Sequence, residues 1–215
     1  MLVRAGLGVA LGLAVGMAGL TNITTENGLA RYSSQANTSN SAFTSAACFS
    51  GNTGYLNPSA NAADTGGDNN GFELNPTNAY ADGSGYASNI NGALDRHRYY
   101  NYSVAVDGSC AIDGIELRMD WWLDSTSDAS NMQAELSWDG GTSWTAVKTD
   151  TVKTSSEHTA VLGSSTDTWG RTWTVDELSN ANFRVRLTSY SCCSSTWTYR
   201  DFYLDWVALK VYYGP

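Results

Sequence analysis

The chain has 215 residues and a formal net charge of −9, with charged residues at only 15%. That length holds one sizeable domain plus an extension. Lysine stands only at Lys148, Lys153 and Lys210, which argues against nucleic acid and anionic membrane surfaces as partners, since both need basic patches. Abundant Ser, Thr, Asn and Gly, with 8 Trp and 12 Tyr, fit an extracellular β-rich surface better than a cytosolic enzyme.

The first twenty residues, MLVRAGLGVALGLAVGMAGL, are apolar and helix-compatible, and Arg4 is the only charge before Glu26. Gly8, Gly12 and Gly16 recur every four residues, so on a helix they form one ridge without side chains, along which another helix can pack closely. Each glycine costs ~1 kcal/mol in a helix interior relative to Ala, and close packing offsets that cost. Three readings fit the segment. A cleaved secretory signal would have its h-region at Leu7–Val15 and its cleavage site at Gly16-Met17-Ala18. The uncharged run Ala5–Thr25 approaches the ~20 residues that span a bilayer. A retained helix would pack against copies of itself in a polymer core. The expectation adopted is the last: residues 1–25 form a filament-core helix, 26–47 a polar linker or arm, and 48–215 a β-sandwich domain.

Residues 48–98 are loop-rich, with turn dipeptides at Gly66-Gly67, Asp82-Gly83 and Asn91-Gly92. An edge strand is expected within Tyr80–Ala87. From Tyr99 the pattern becomes β. Strands are expected at Tyr99–Val106, Ile112–Leu123, Met132–Trp138, Trp144–Lys153, Glu157–Leu162, Phe183–Ser189 and Phe202–Tyr213, with a helical turn at Val175–Ser179. In the second of these, Ile115, Leu117 and Met119 share one face and Glu116, Arg118 and Asp120 the other. Val185, Leu187, Leu204 and Trp206 are expected to join the core. Short strands between regular turns predict a mainly β fold, an antiparallel jelly-roll-like sandwich behind one N-terminal hydrophobic helix.

The stretches NAYADGSGYAS (78–88), IDGIELRMDWWLD (112–124), AELSWDGGTSWTAVKT (134–149), DTWGRTWTVDELSNANFRVRL (167–187) and LDWVALKVYY (204–213) resemble a β-sandwich module of prokaryotic surface proteins and phage virion proteins. That resemblance implies an extracellular, non-catalytic, jelly-roll-like domain used as spacer, adhesin or decoration. A hydrophobic helix ahead of such a sandwich resembles the layout of archaeal type IV pilins. Bacterial type IV pilins carry glutamate at the fifth mature position, where this chain has Ala5.

Four cysteines, Cys48, Cys110, Cys192 and Cys193, show no CxxC spacing. They point to two disulfides in an oxidising compartment rather than to a metal site. Cys48 and Cys110 are each expected to pair with one of Cys192 and Cys193. Sequons at Asn22, Asn37 and Asn101 are candidate glycosylation sites. Ser137, Asp139, Gly141 and Trp144 fit the Asp-box S-x-D-x-G-x-x-W, read as a structural hairpin turn. No cofactor or metal is expected. Clusters at Asp64–Asn70 and Asp120–Asp128 are the only candidates for a structural Ca²⁺. Of Trp121, Trp122, Trp169, Trp173 and Trp197, one of the adjacent pair Trp121 and Trp122 must face outward, where it would offer a glycan-stacking surface. No nucleophile–base motif is present, so no catalytic residue is expected. The sequence therefore favours a pilin-like subunit of an extracellular, cell-surface filament. Its partners would be copies of itself and surface glycans, with membrane contact only before assembly. The alternative is a secreted or virion-borne carbohydrate-binding sandwich with a cleaved signal peptide.

Overall fold

The computed structural model describes residues 25–26, 29–30, 48–192 and 199–215. The chain divides into two units, Met1–Phe43 and Thr44–Pro215. In the first, β1 (Thr25–Glu26) pairs antiparallel with β2 (Leu29–Ala30). Thr25, expected to end a helix, therefore lies in a strand, and part of the expected linker is paired. The expected core helix, with Gly8, Gly12 and Gly16, lies outside the described residues. Among the described residues, no helix is long and apolar enough to cross a membrane.

The second unit is a sandwich of two antiparallel sheets. Its strands are β3 (Gly51–Asn52), β4 (Ala60–Asp64), β5 (Ala87–Gly92), β6 (Asp95–Tyr100), β7 (Ala111–Leu123), β8 (Ala129–Ser137), β9 (Lys148–Asp150), β10 (His158–Gly163), β11 (Arg184–Cys192) and β12 (Arg200–Gly214). The first sheet runs β10-β7-β12, and the far edge of β12 is shared by β5 near its start and β3 near its end. The second sheet runs β4-β6-β11-β8-β9. Single 3-10 turns sit at Pro76–Tyr80 and Asp176–Leu178.

Alternation explains the layers. Ile115, Leu117, Met119, Trp121 and Leu123 of β7 are buried, as are Val185 and Leu187 of β11 and Met132, Ala134 and Leu136 of β8. Period-2 alternation sends every second side chain to the core between the sheets. The long strand β12 changes phase. Phe202 and Leu204 point inward, a register shift falls between Leu204 and Trp206, and Val207, Leu209 and Val211 point inward thereafter. The extra residue of a β-bulge switches the faces, so Trp206, expected in the core, lies half-buried on the outer face.

Other elements differ from expectation. The strand expected at Tyr99–Val106 begins at Asp95 and stops at Tyr100, where Asn101 and Ser103 take φ of 62° and 52°. Left-handed residues there break the extended run. Within Tyr80–Ala87 only Ala87 is in a strand, because Tyr80 closes the turn opened by Pro76. Trp144–Lys153 contracts to the three residues of β9.

The disulfide pairing is also corrected. Cys48 bonds Cys110, so neither reaches Cys192 or Cys193. Gly51 pairs with Tyr213, and Ala111 pairs with Gly214. Cys48 and Cys110 therefore flank one end of β12. Cys192, itself disulfide-bonded, ends β11 in the other sheet, opposite Ala129. Cys193 lies outside the described residues.

Candidate functional site

The outer face of the first sheet gathers aromatic and charged side chains along β7 and β12. Trp122 and Tyr203 are cross-strand partners, with ring centroids 5.5 Å apart and planes tilted by 32°. Tyr86, from the loop before β5, meets both rings edge-on at 5.2 Å and is 47% exposed. The three rings form an open corner. Burial, then the nearby Asp201 and Asp124 carboxylates, raises the Tyr203 pKa, which keeps its hydroxyl protonated as a donor.

Beside this corner stands an acidic group formed by Asp82, Asp120, Glu157 and Asp205. Asp205 is 5% exposed; its Oδ2 accepts the Gly83 N–H at 2.9 Å, and its Oδ1 is buried without a partner among the described residues. Burial and then the neighbouring carboxylates raise the pKa of Glu157, and burial raises that of Asp205. Arg118 answers them, donating to Asp120 through Nε at 3.1 Å and a terminal nitrogen at 2.8 Å. Its guanidinium also lies 4.5 Å from the Trp206 ring centroid. Trp206 packs edge-on against Tyr55 at 5.7 Å and donates from Nε1 to Asn57. At the far end Glu116 accepts from Tyr55, from Lys210 at 3.0 Å and from Tyr212 at 3.1 Å. Desolvation opposes its charge, but these donors hold its pKa below the ordinary value.

This face combines apolar ring surfaces, fixed carboxylate acceptors and a planar guanidinium. Such a set matches a ligand with C–H-rich faces edged by hydroxyl groups. Of the residues gathered on this face, sequence reasoning singled out Trp122 and not Tyr55, Tyr86, Arg118, Tyr203 or Trp206. The parity change from Leu204 to Val207, Leu209 and Val211 was a readable sign that Trp206 turns outward.

Trp121 is fully buried, stacked on Phe202 and donating to Asp150 at 2.9 Å, so it offers no stacking surface. Trp169 and Trp173 are core residues, and Trp197 lies outside the described residues. The Asp-box residues meet in the turn after β8. Asp139 accepts the Ser137 hydroxyl at 3.0 Å and the N–H groups of Thr142 at 3.0 Å and Ser143 at 2.8 Å. Gly141 donates to Ser137 Oγ at 2.8 Å. Trp144 lies beneath the guanidinium of Arg186, 4.0 Å from its ring centroid. Asn101 directly follows β6 and is half-buried, and Asn22 and Asn37 lie outside the described residues.

The acidic stretches weighed for Ca²⁺ have other partners. Asp64 faces Arg98 and Arg186, while Asp124 and Asp128 pair with Arg200. No cluster of three or more His, Cys, Asp or Glu suited to a metal occurs among the described residues. His97 Nδ1 accepts the Phe72 N–H, its Nε2 meets Asn61, and His158 meets Asp150.

No family model matches the chain, and no curated protein does. Among solved structures it is similar to the CBM32 of AlyQ in complex with 4,5-unsaturated mannuronic acid, at 14% identity and TM-score 0.38, over 72% of this chain and 96% of that one. Truncated AlyQ with CBM32 and alginate lyase domains matches at 12% identity and TM-score 0.38, over 77% of this chain and 34% of that one. The CBM22-1 xylan-binding domain from Paenibacillus barcinonensis Xyn10C matches at 11% identity and TM-score 0.25, over 62% and 90%.

Proposed function

We propose that the sandwich is a non-catalytic, extracellular carbohydrate-binding module that holds a sugar ring in the Tyr86–Trp122–Tyr203 corner. The observation that carries this reading is the exposed corner itself, set beside the exposed carboxylates of Asp82 and Glu157. A pyranose C–H face stacks on an aromatic ring, and its edge hydroxyls donate to fixed carboxylates. The Cys48–Cys110 disulfide fits an oxidising compartment. The filament expectation rests on the N-terminal segment outside the described residues, and no observation on the sandwich adds to it.

The test is a glycan panel that includes mannuronate oligomers and xylan, followed by titration of the strongest binder. Trp122→Ala is expected to weaken binding about tenfold, since loss of an aromatic contact costs ~1.5 kcal/mol. Tyr86→Ala should weaken it less. A flat panel, or equal affinity in Trp122→Ala, would refute the reading.

A further inference from the structure

The outer face of the second sheet has a different chemistry. Arg96 and Arg98 of β6 and Arg184 and Arg186 of β11 lie on it, with Arg98 directly opposite Arg186 and Arg184 opposite Tyr100. Like charges directly opposite each other destabilise a sheet unless an anion compensates. The carboxylates facing these four guanidiniums are Glu135 and Asp64. Glu135 accepts from Arg186 at 2.9 and 2.8 Å. Asp64 stands 3.8 Å from Arg98 and 3.5 Å from Arg186, beyond the usual length of a charge-assisted hydrogen bond. The Arg98 guanidinium makes no hydrogen bond among the described residues, and its Nε is buried without an acceptor.

The guanidiniums beside Arg98 are already in place. Arg184 lies over the Tyr100 ring at 4.5 Å and donates to the carbonyls of Asn180, Ala181 and Phe183. Arg186 lies 4.0 Å from the centroid of Trp144, which the Asp-box turn delivers to this face. Guanidiniums stacked on rings lose little rotamer freedom on binding, and their planar forks suit carboxylate and sulfate groups. The chain as a whole carries −9, which disfavours a densely charged nucleic acid. A sugar chain with spaced anionic groups is repelled less.

We propose that this face binds an acidic polysaccharide, with a sugar carboxylate or sulfate bridging Arg98 and Arg186 in place of the distant Asp64. The proposal stands apart from the aromatic corner, which lies on the opposite sheet.

The experiment titrates the full chain with polygalacturonate, dextran sulfate and uncharged dextran, at low and physiological salt. Binding is expected for polygalacturonate, dextran sulfate or both, but not dextran, and should weaken with salt; the two charged probes separate carboxylate from sulfate recognition. Arg98→Gln should weaken it about tenfold, the scale of one charge-assisted hydrogen bond. Asp64→Asn should tighten it, a gain that misfolding cannot produce. Repeated in the Trp122→Ala background, which removes the corner, the shifts of Arg98→Gln and Asp64→Asn should persist, so failure here is distinguishable from failure at the corner. Absence of binding to both charged probes, equal affinity in Arg98→Gln, no gain in Asp64→Asn, or tighter binding of single-stranded oligothymidylate would overturn the proposal.

Discussion

Gly67 and Asp95 depend on each other. Gly67 has φ of 56°, and a Cβ there would fall 1.6 Å from Asp95 Oδ1. Asp95 is 1% exposed and accepts the Asp68 N–H at 2.7 Å and the Ala93 N–H at 3.2 Å. A side chain at Gly67 would both strain the backbone and break this charged acceptor. Gly67→Ala is therefore expected to cost ~2 kcal/mol or more, measured by urea unfolding. A loss below about 0.5 kcal/mol, the scale of a neutral surface change, would contradict the argument. His97 gives a pH prediction. Burial, then the nearby Arg98 charge, lowers its pKa to about 4. The unfolded chain binds this proton near the ordinary value of ~6.5, while the fold resists it. The contribution is full above that value and is lost as pH falls from there towards about 4. The loss should reach ~3 kcal/mol, and His97→Gln should flatten that part of the stability profile. An equally steep profile in the variant would assign the pH dependence to other groups.

The Asp-box turn acts at the level of the element. Two backbone N–H groups and one hydroxyl converge on Asp139, which closes the turn between β8 and β9 and brings Trp144 to the second sheet. Desolvation raises the Asp139 pKa, but the donors, led by the Ser143 N–H, outweigh it and hold the group low. Asp139→Ala should destabilise the domain by ~1–3 kcal/mol, read as a lower thermal midpoint. Glycan affinity at Trp122 should stay unchanged, because the corner is built on other strands. Unchanged stability would mean that the turn is held by β-pairing alone. The bulge in β12 is the second element-scale device. Without it Trp206 would enter the core and Val207, Leu209 and Val211 would face solvent.

Across the whole molecule, β12 is the spine of the first sheet, pairing with β7 on one side and with β5 and β3 on the other. The Cys48–Cys110 bond, with a sequence separation of 62, ties the segments that flank its end. Restricting a loop of that length in the unfolded chain is worth ~4 kcal/mol in the chain-entropy account. Replacing both cysteines by serine should lower unfolding free energy by about that amount in denaturant titrations. A variant as stable as the parent would show that strand pairing alone holds this edge.

Period-2 alternation in β7, β8 and β11 determined the sheet class and most of the core, because each alternating side chain needs only a local choice of face. Ser137, Asp139, Gly141 and Trp144 were likewise legible, since the hydrogen bonds that the Ser137 and Asp139 side chains make in the turn span four residues or fewer. β4, with the sequence ANAAD, has no apolar alternation and became a strand only because β6 presents an edge to it. Trp122 was narrowed to one of two adjacent tryptophans, and burial of Trp121 against Phe202 decided which. Tertiary structure alone brought Tyr86 to Trp122 and Tyr203, set Arg98 opposite Arg186, and joined Cys48 to Cys110. Each of those pairings depends on the register between strands distant in sequence, and local periodicity carries no information about register.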